Sequence, residues 1–112
     1  MQKIKIAGMR HMEDVDSNAS TDTASTLATL GFTVEKAAGA DGRIDKADFA
    51  LVFVETNDVR VGPGTPTTSK GPIIATGDSF VLESVEEIEK VKVLSAVSGV
   101  HATLHAIIGY SS

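Results

Sequence analysis

The sequence predicts a mainly β protein: a compact antiparallel β-sandwich or barrel with one short helical turn near residues 84–90 and an irregular N-terminal arm. Three observations carry that expectation. Over residues 48–110, apolar runs alternate with short clusters of Gly, Pro, Thr, Ser and Asp, the rhythm of short strands joined by tight turns. The same stretch holds three of the four Phe, all three Pro and the only Tyr. Aromatic residues are 4% of the 112 residues and Trp is absent, so the core has to be built from Val, Ile, Leu and Ala. The length suits one domain with a modest core, divided for description into an N-terminal strand and extended arm (1–31) and a β-sandwich core (32–112).

Taken in order, residues 2–7 alternate Lys3 and Lys5 with Ile4 and Ile6, a short strand with one wet face. Residues 10–23 carry Asp, Glu, Ser, Asn and Thr with little periodicity and read as an extended arm or long loop. Residues 24–30 suit either a helical turn ended by Gly31 or a strand. Residues 32–35 read as a short strand, closed by the small residues 37–40.

Residues 49–54 are apolar at every position, as in a strand buried on both sides or one with an inner face and a subunit contact. Asn57-Asp58 breaks that strand and 59–61 begin the next. Residues 62–70 are a loop, because Gly and Pro set turns there and hydroxyls can satisfy the backbone. Residues 72–75 read as a short strand at a sheet edge, since Pro cannot donate to a ladder. A turn at 76–78 leads to a strand over 79–82.

Ser84-x-x-Glu87 is a capping box opening a helix of one or two turns. Residues 91–97 resume alternation, with Val91, Val93 and Val97 on one face. Ser98-Gly99 turns the chain. In 100–108, Val100, Ala102, Leu104, Ala106 and Ile108 face one way, while His101, Thr103, His105 and Ile107 face the other. Residues 109–112 read as a tail.

Composition narrows the function. A net charge of −5 with no two adjacent Lys or Arg residues argues against nucleic acid, whose recognition needs a cationic surface. Without cysteine there is neither a disulfide framework nor a thiolate metal site. No window approaches the ~20 apolar residues of a membrane span, and the N-terminus lacks the unbroken apolar run of a signal peptide. The expectation is a soluble protein made in a cytoplasm, with no membrane partner.

Candidate chemical motifs are weak. Asp41 to Phe49 matches the second half of a calcium-binding EF-hand loop, but Ala37 and Gly39 stand where leading carboxylates belong. A turn with a solvated acidic rim is preferred. Asp14, Asp16 and Asn18 alternate without a Gly to fold them round an ion. His101 and His105, four apart on a strand, are separated by about 13 Å and read as polar cover of an outer face. There is no G-x-S-x-G nucleophile elbow. The loop 62–71 lacks the order and the N–H donors of a phosphate cradle. The reading is a non-enzyme with no cofactor and no metal.

The loop and its flanks carry a resemblance. Val59-Arg60, Gly64-Thr65-Pro66-Thr67, Ser69, Gly71, Gly77, Leu82 and Ala102-Thr103-Leu104-His105 with Tyr110 occur in the order found in a family of small β-rich virion proteins of tailed bacteriophages. Residues 48–110 resemble that family, Val61-Gly62-Pro63 departs from its loop pattern, and residues 1–47 are unmatched. The resemblance implies a virion structural protein on the capsid surface, assembled in the host cytoplasm: a capsid decoration (cement) protein that binds and stabilises neighbouring major capsid subunits. Its partners would be the major capsid protein and its own copies, as a trimer or other symmetric homo-oligomer. Alternatives are a neck, tail or head-fibre component, or a small surface- or carbohydrate-binding β-module, against which the scarcity of aromatic rings counts. Candidate contact residues are Ile4, Ile6, Met9 and Met12 in the arm, which would reach a neighbour. Phe49, Leu51 and Phe53 on the two-sided strand, and Arg60, Pro63 and Pro66 around the loop, complete the set.

Overall fold

The computed structural model describes residues 11–38 and 43–110. Ten elements follow in the order β1 (His11–Ala19), α1 (Leu27–Leu30), β2 (Glu35–Ala38), β3 (Arg43–Thr56), β4 (Val59–Pro63), β5 (Ile73–Ile74), β6 (Ser79–Leu82), α2 (Val85–Lys90), β7 (Val91–Ser95) and β8 (Thr103–Tyr110). The architecture is mainly β, as the alternation predicts. Two antiparallel sheets form a sandwich-like arrangement, and both are open, so the barrel alternative is set aside.

The larger sheet has the order β1-β8-β3, with β2 and β6 sharing the far edge of β3. β2 pairs its first residues, Arg43 to Lys46, and β6 pairs Ala50 to Phe53. The smaller sheet has the order β5-β4-β7. Strand alternation sends every second residue inward. Ala50, Val52 and Val54 of β3 and Leu104, Ala106 and Ile108 of β8 are buried, as are Val59, Val61 and Val93 of the smaller sheet. Leu27, Phe32 and Ile88, from or beside the two helices, complete this cluster.

Local signals place both helices. Thr26 caps α1, its hydroxyl accepting from Thr29 N. Gly31, at φ 110°, ends α1, and its N–H and that of Phe32 donate to Ala28 O and Leu27 O. This is a Schellman closure, which needs a left-handed residue, and it makes 27–30 the helical turn, while Ser25 before it bridges Val93. Ser84 Oγ caps α2 by accepting from Glu87 N at 3.1 Å. Glu87 Oε1 reaches back to Glu83 N at 2.7 Å, one residue before the cap instead of to the cap itself.

Several expectations shift. The stretch 10–23, expected as an arm or loop, contains β1, paired with β8 from His11↔Tyr110 to Ala19↔Thr103. Its composition hides this because the ladder is supplied by β8, not by the strand's own propensity. The segment expected at 32–35 begins later, since Phe32 turns into the core and β2 starts at Glu35. The strand expected at 49–54 starts at Arg43, so Asp45 and Asp48 lie on a strand, not a turn; residues 41–42 lie outside the described set, as does the strand expected at 2–7. Val97 and Val100 pair across the 98–99 turn and are exposed, leaving Val93, Leu94 and Ser95 buried in β7. β7 is covered on its outer side by 21–25, with Ser25 and Val93 exchanging backbone hydrogen bonds and Ser95 N reaching Thr21 O. β8 continues through the expected tail to Tyr110, whose ring is buried and whose hydroxyl donates to Thr33 O at 2.8 Å. The edge strand near 72–75, the strand 79–82 and the helix after Ser84 form as expected.

Two substitutions test this account. Leu104→Ala removes a fully buried side chain and is expected to cost about 2–5 kcal/mol in denaturant unfolding. Gly31→Ala combines a left-handed backbone with a Cβ that falls 2.8 Å from the Asn18 side-chain amide. It is expected to destabilise by about 1 kcal/mol or more.

Candidate protein-binding surface

The face of the larger sheet turned away from the core is unusually apolar. On β3, Phe49, Leu51 and Phe53 alternate with the buried positions and are half-buried. Register carries the stripe sideways, because residues directly opposite in an antiparallel pair share a face. Leu51 pairs with Ile107 of β8 on one side and Val81 of β6 on the other. Val15 of β1 stands opposite Ile107. Val81 is 42% exposed. Phe49 lies opposite Gly109 and Phe53 opposite His105.

Polar groups border one end of this row. Ser79 flanks Phe53 on β6, Ser17 stands opposite His105 on β1, and Thr103 opposes Thr56. His105 Nε2 and Glu55 Oε2 form a close pair at the same end of the sheet. An apolar centre with aromatic anchors and a polar margin is the anatomy of a protein interface. The strand's lack of hydrophobic alternation has a structural counterpart: one face builds the core, and the other lies in the apolar outer face of the larger sheet.

The remaining sequence candidates fall elsewhere. Ile4, Ile6 and Met9 lie outside the described residues. Met12 belongs to β1, opposite Gly109. Arg60 is committed internally: Nε donates to Thr68 O at 3.0 Å and Nη1 to Gly71 O at 2.5 Å, tying down the loop after β4. Pro66 is buried beneath that loop, where a Cβ on Gly71 would fall 3.0 Å from Pro66 Cβ. Pro63 is exposed and lines a cleft of about 630 Å³ between β4 and β6. The structure thus brings Phe49, Leu51 and Phe53 together with Ile107 and Val81, which sequence reasoning left out. Their signal was present in part: Ile107 was already on the outward side of the β8 alternation, but the cross-strand register that joins it to Leu51 is not local.

A hydrogen-bonded chain lies between β7, β8 and the segment after β1. Ala102 N donates to Ser20 Oγ at 2.8 Å, Ser20 Oγ meets Ser95 Oγ at 2.7 Å, and Ser95 Oγ meets His101 Nδ1 at 2.9 Å. Asp22 Oδ1 lies 3.9 Å from that ring nitrogen and accepts from Gly99 N at 2.9 Å. The residue types suggest a nucleophilic triad. The geometry gives it a structural role, because Ser95 is 0% exposed and a substrate has no path to its oxygen. A satisfied buried network of this kind ties segments together.

At the surface, Lys46 of β3 donates to Glu89 Oε2 of α2 at 3.1 Å and lies 4.0 Å from Glu35. The hydrogen bond and charge of Glu89, then the charge of Glu35, raise the Lys46 pKa above its ordinary value. Among the described residues, no three His, Cys, Asp or Glu side chains converge as a metal site, and no helix is long and apolar enough to cross a membrane. No family model matches the chain, and no curated protein or solved structure is detectably similar to it.

Ser95→Ala leaves Ser20 and His101 without a shared partner and is expected to lower unfolding free energy by about 1–3 kcal/mol. The Lys46 pairing has the opposite pH sense to a carboxylate's. Its raised pKa makes the contribution fully present below the ordinary lysine range and lost as pH rises through the raised value. The decrement caused by Lys46→Gln, followed by thermal melts against pH, is therefore expected to hold at neutral pH and to vanish in strong alkali.

Proposed function

We propose that this chain is a bacteriophage virion structural protein, specifically a capsid decoration (cement) protein that binds neighbouring major capsid subunits through the outer face of its larger sheet. The observation that carries this reading is the apolar row Val81–Leu51–Ile107 with Phe49 and Phe53 beside it. A cement protein requires a rigid scaffold that presents apolar area to a shell, and side chains on paired strands meet that need with little ordering cost on binding. The resemblance of residues 48–110 to small phage virion proteins adds independent support. It covers both the strand that bears the aromatic pair and the loop that Arg60 holds closed.

The polar margin gives the contact orientation. Ser17, Ser79 and Thr103 can hydrogen-bond a partner at the rim, while Phe49, Leu51 and Phe53 supply the desolvated centre, where truncation costs most affinity. A face of this kind favours a broad, flat protein surface over a small ligand, which would leave most of the row in water.

The test is co-sedimentation with empty phage shells. Leu51→Asp places a charge in the middle of the row and is expected to weaken binding at least tenfold while circular dichroism stays unchanged. Val97→Asp, at a site 59% exposed on the hairpin after β7, serves as the control and is expected to bind as the unmodified chain does. Undiminished binding by Leu51→Asp would remove the outer face from the contact. Copy number separates the structural roles: hundreds of copies per particle mean decoration, and about a dozen mean neck or tail.

A further inference from the structure

The hydroxyl chain behind the 96–101 hairpin has a direction, and counting its hydrogens reveals it. Each serine hydroxyl has a single hydrogen to donate. Ser20 Oγ accepts from Ala102 N at 2.8 Å, and Ser20 is buried, so its own hydrogen needs a partner inside the protein. The acceptor in reach is Ser95 Oγ at 2.7 Å. With Ser20 donating to it, Ser95 sends its own hydrogen on to His101 Nδ1 at 2.9 Å. That nitrogen is then a bare acceptor, and the neutral ring carries its proton on Nε2. The opposite direction, from Nδ1–H to Ser95 and from Ser95 to Ser20, leaves the Ser20 hydrogen buried with no acceptor.

An imidazolium offers no acceptor, because both of its nitrogens donate. Protonation of His101 therefore strands one buried hydroxyl hydrogen whichever way the chain turns, and an orphaned buried donor is costly. The charged ring has another partner at hand, since Asp22 Oδ1 lies 3.9 Å from Nδ1. Other titratable groups on the surrounding elements are turned away or engaged. Lys92, three residues before Ser95, lies on the other side of β7. Asp58, in the turn after β3, accepts from Thr76 N and Oγ1, and Asn57 beside it reaches only the His101 carbonyl. His105 on β8 is paired with Glu55.

We propose that His101 is a pH-operated latch. Neutral, it completes the Ser20–Ser95–His101 chain; protonated, its Nδ1 leaves Ser95 for Asp22 and the chain breaks. What the chain fastens is the cover over β7. Ser20 N donates to Ala102 O and Ser95 N to Thr21 O, so residues 20–21 bridge β7 and the start of β8. Acid loosens that bridge. Asp22 also accepts from Gly99 N at 2.9 Å, which keeps the hairpin turn in place while the cover loosens. The latch goes beyond the capsid reading and does not rest on it.

The experiment is NMR on the full chain, titrated from about pH 8 to about pH 5.5, the range in which histidine side chains change charge. At the alkaline end, nitrogen spectra of the imidazole are expected to show the His101 proton on Nε2. As the ring becomes charged, the exchange protection of the Ser95 and Ala102 amides, corrected for the intrinsic effect of pH, is expected to fall about tenfold or more. The amides of Val52 and Ala106 in the β3–β8 ladder are expected to keep theirs. His101→Asn retains an acceptor that does not titrate, and its Ser95 and Ala102 protection is expected to stay constant over the same range. A neutral ring with its proton on Nδ1, protection that ignores the charge of the ring, or an equal fall in His101→Asn would each overturn the proposal.

Discussion

The pairing of β3 with β8 is the constraint on which the rest of the molecule depends. It runs from Ala47↔Tyr110 to Thr56↔Thr103 and sets Ala50, Val52 and Val54 against Ile108, Ala106 and Leu104. Because the side-chain period is two, a slip of β8 by one residue would send Leu104, Ala106 and Ile108 into solvent and bring His105 and Ile107 inward. Burial of a His beside its Glu partner would be costly, which helps hold the register. Every other strand of the larger sheet is placed by these two: β1 on the free side of β8, and β2 and β6 end to end along β3.

That arrangement has a functional consequence. β3 is flanked on both sides over Ala50–Phe53, so its outer residues sit in the middle of a four-strand face instead of at an edge. The apolar row is thus carried on paired strands. The edges are treated differently. β7 is covered by 21–25, β5 is only two residues long and preceded by Pro72, and β6 opens onto a cleft. Short or covered edges limit unplanned pairing; among the described residues β1 pairs only with β8 and β6 only with β3.

Much of this was legible in the chain. The turn residues place β6 at 79–82, the S-x-x-E pattern places α2 near 84–90, and the alternation from Ala102 to Ile108 assigns the inner face of β8 correctly. Legibility failed where structure depends on distant partners. The polar string of β1 has no strand pattern because its ladder comes from β8, ninety residues away in places. Arg60 and Pro66 looked like loop residues free to contact a partner, yet they hold the loop together through Thr68, Gly71 and burial. Ser20, Ser95 and His101 carry no motif, since a network across separations of 75 and 6 residues exists only after the sheets form.

By itself, the sequence determined the class of fold, the aliphatic nature of the core, the local caps and turns, and the apolar character of both faces of residues 49–54. These follow from short-range sterics and from side-chain period, which neighbouring residues dictate. Tertiary structure alone decided that the sheets stay open and that β1 is an edge strand. It also joined Leu51 to Ile107 and Val81 in one row and set β6 beside a cleft. Those outcomes rest on register and on which strands meet, and both are settled by burying the shared core, not by any single stretch of chain.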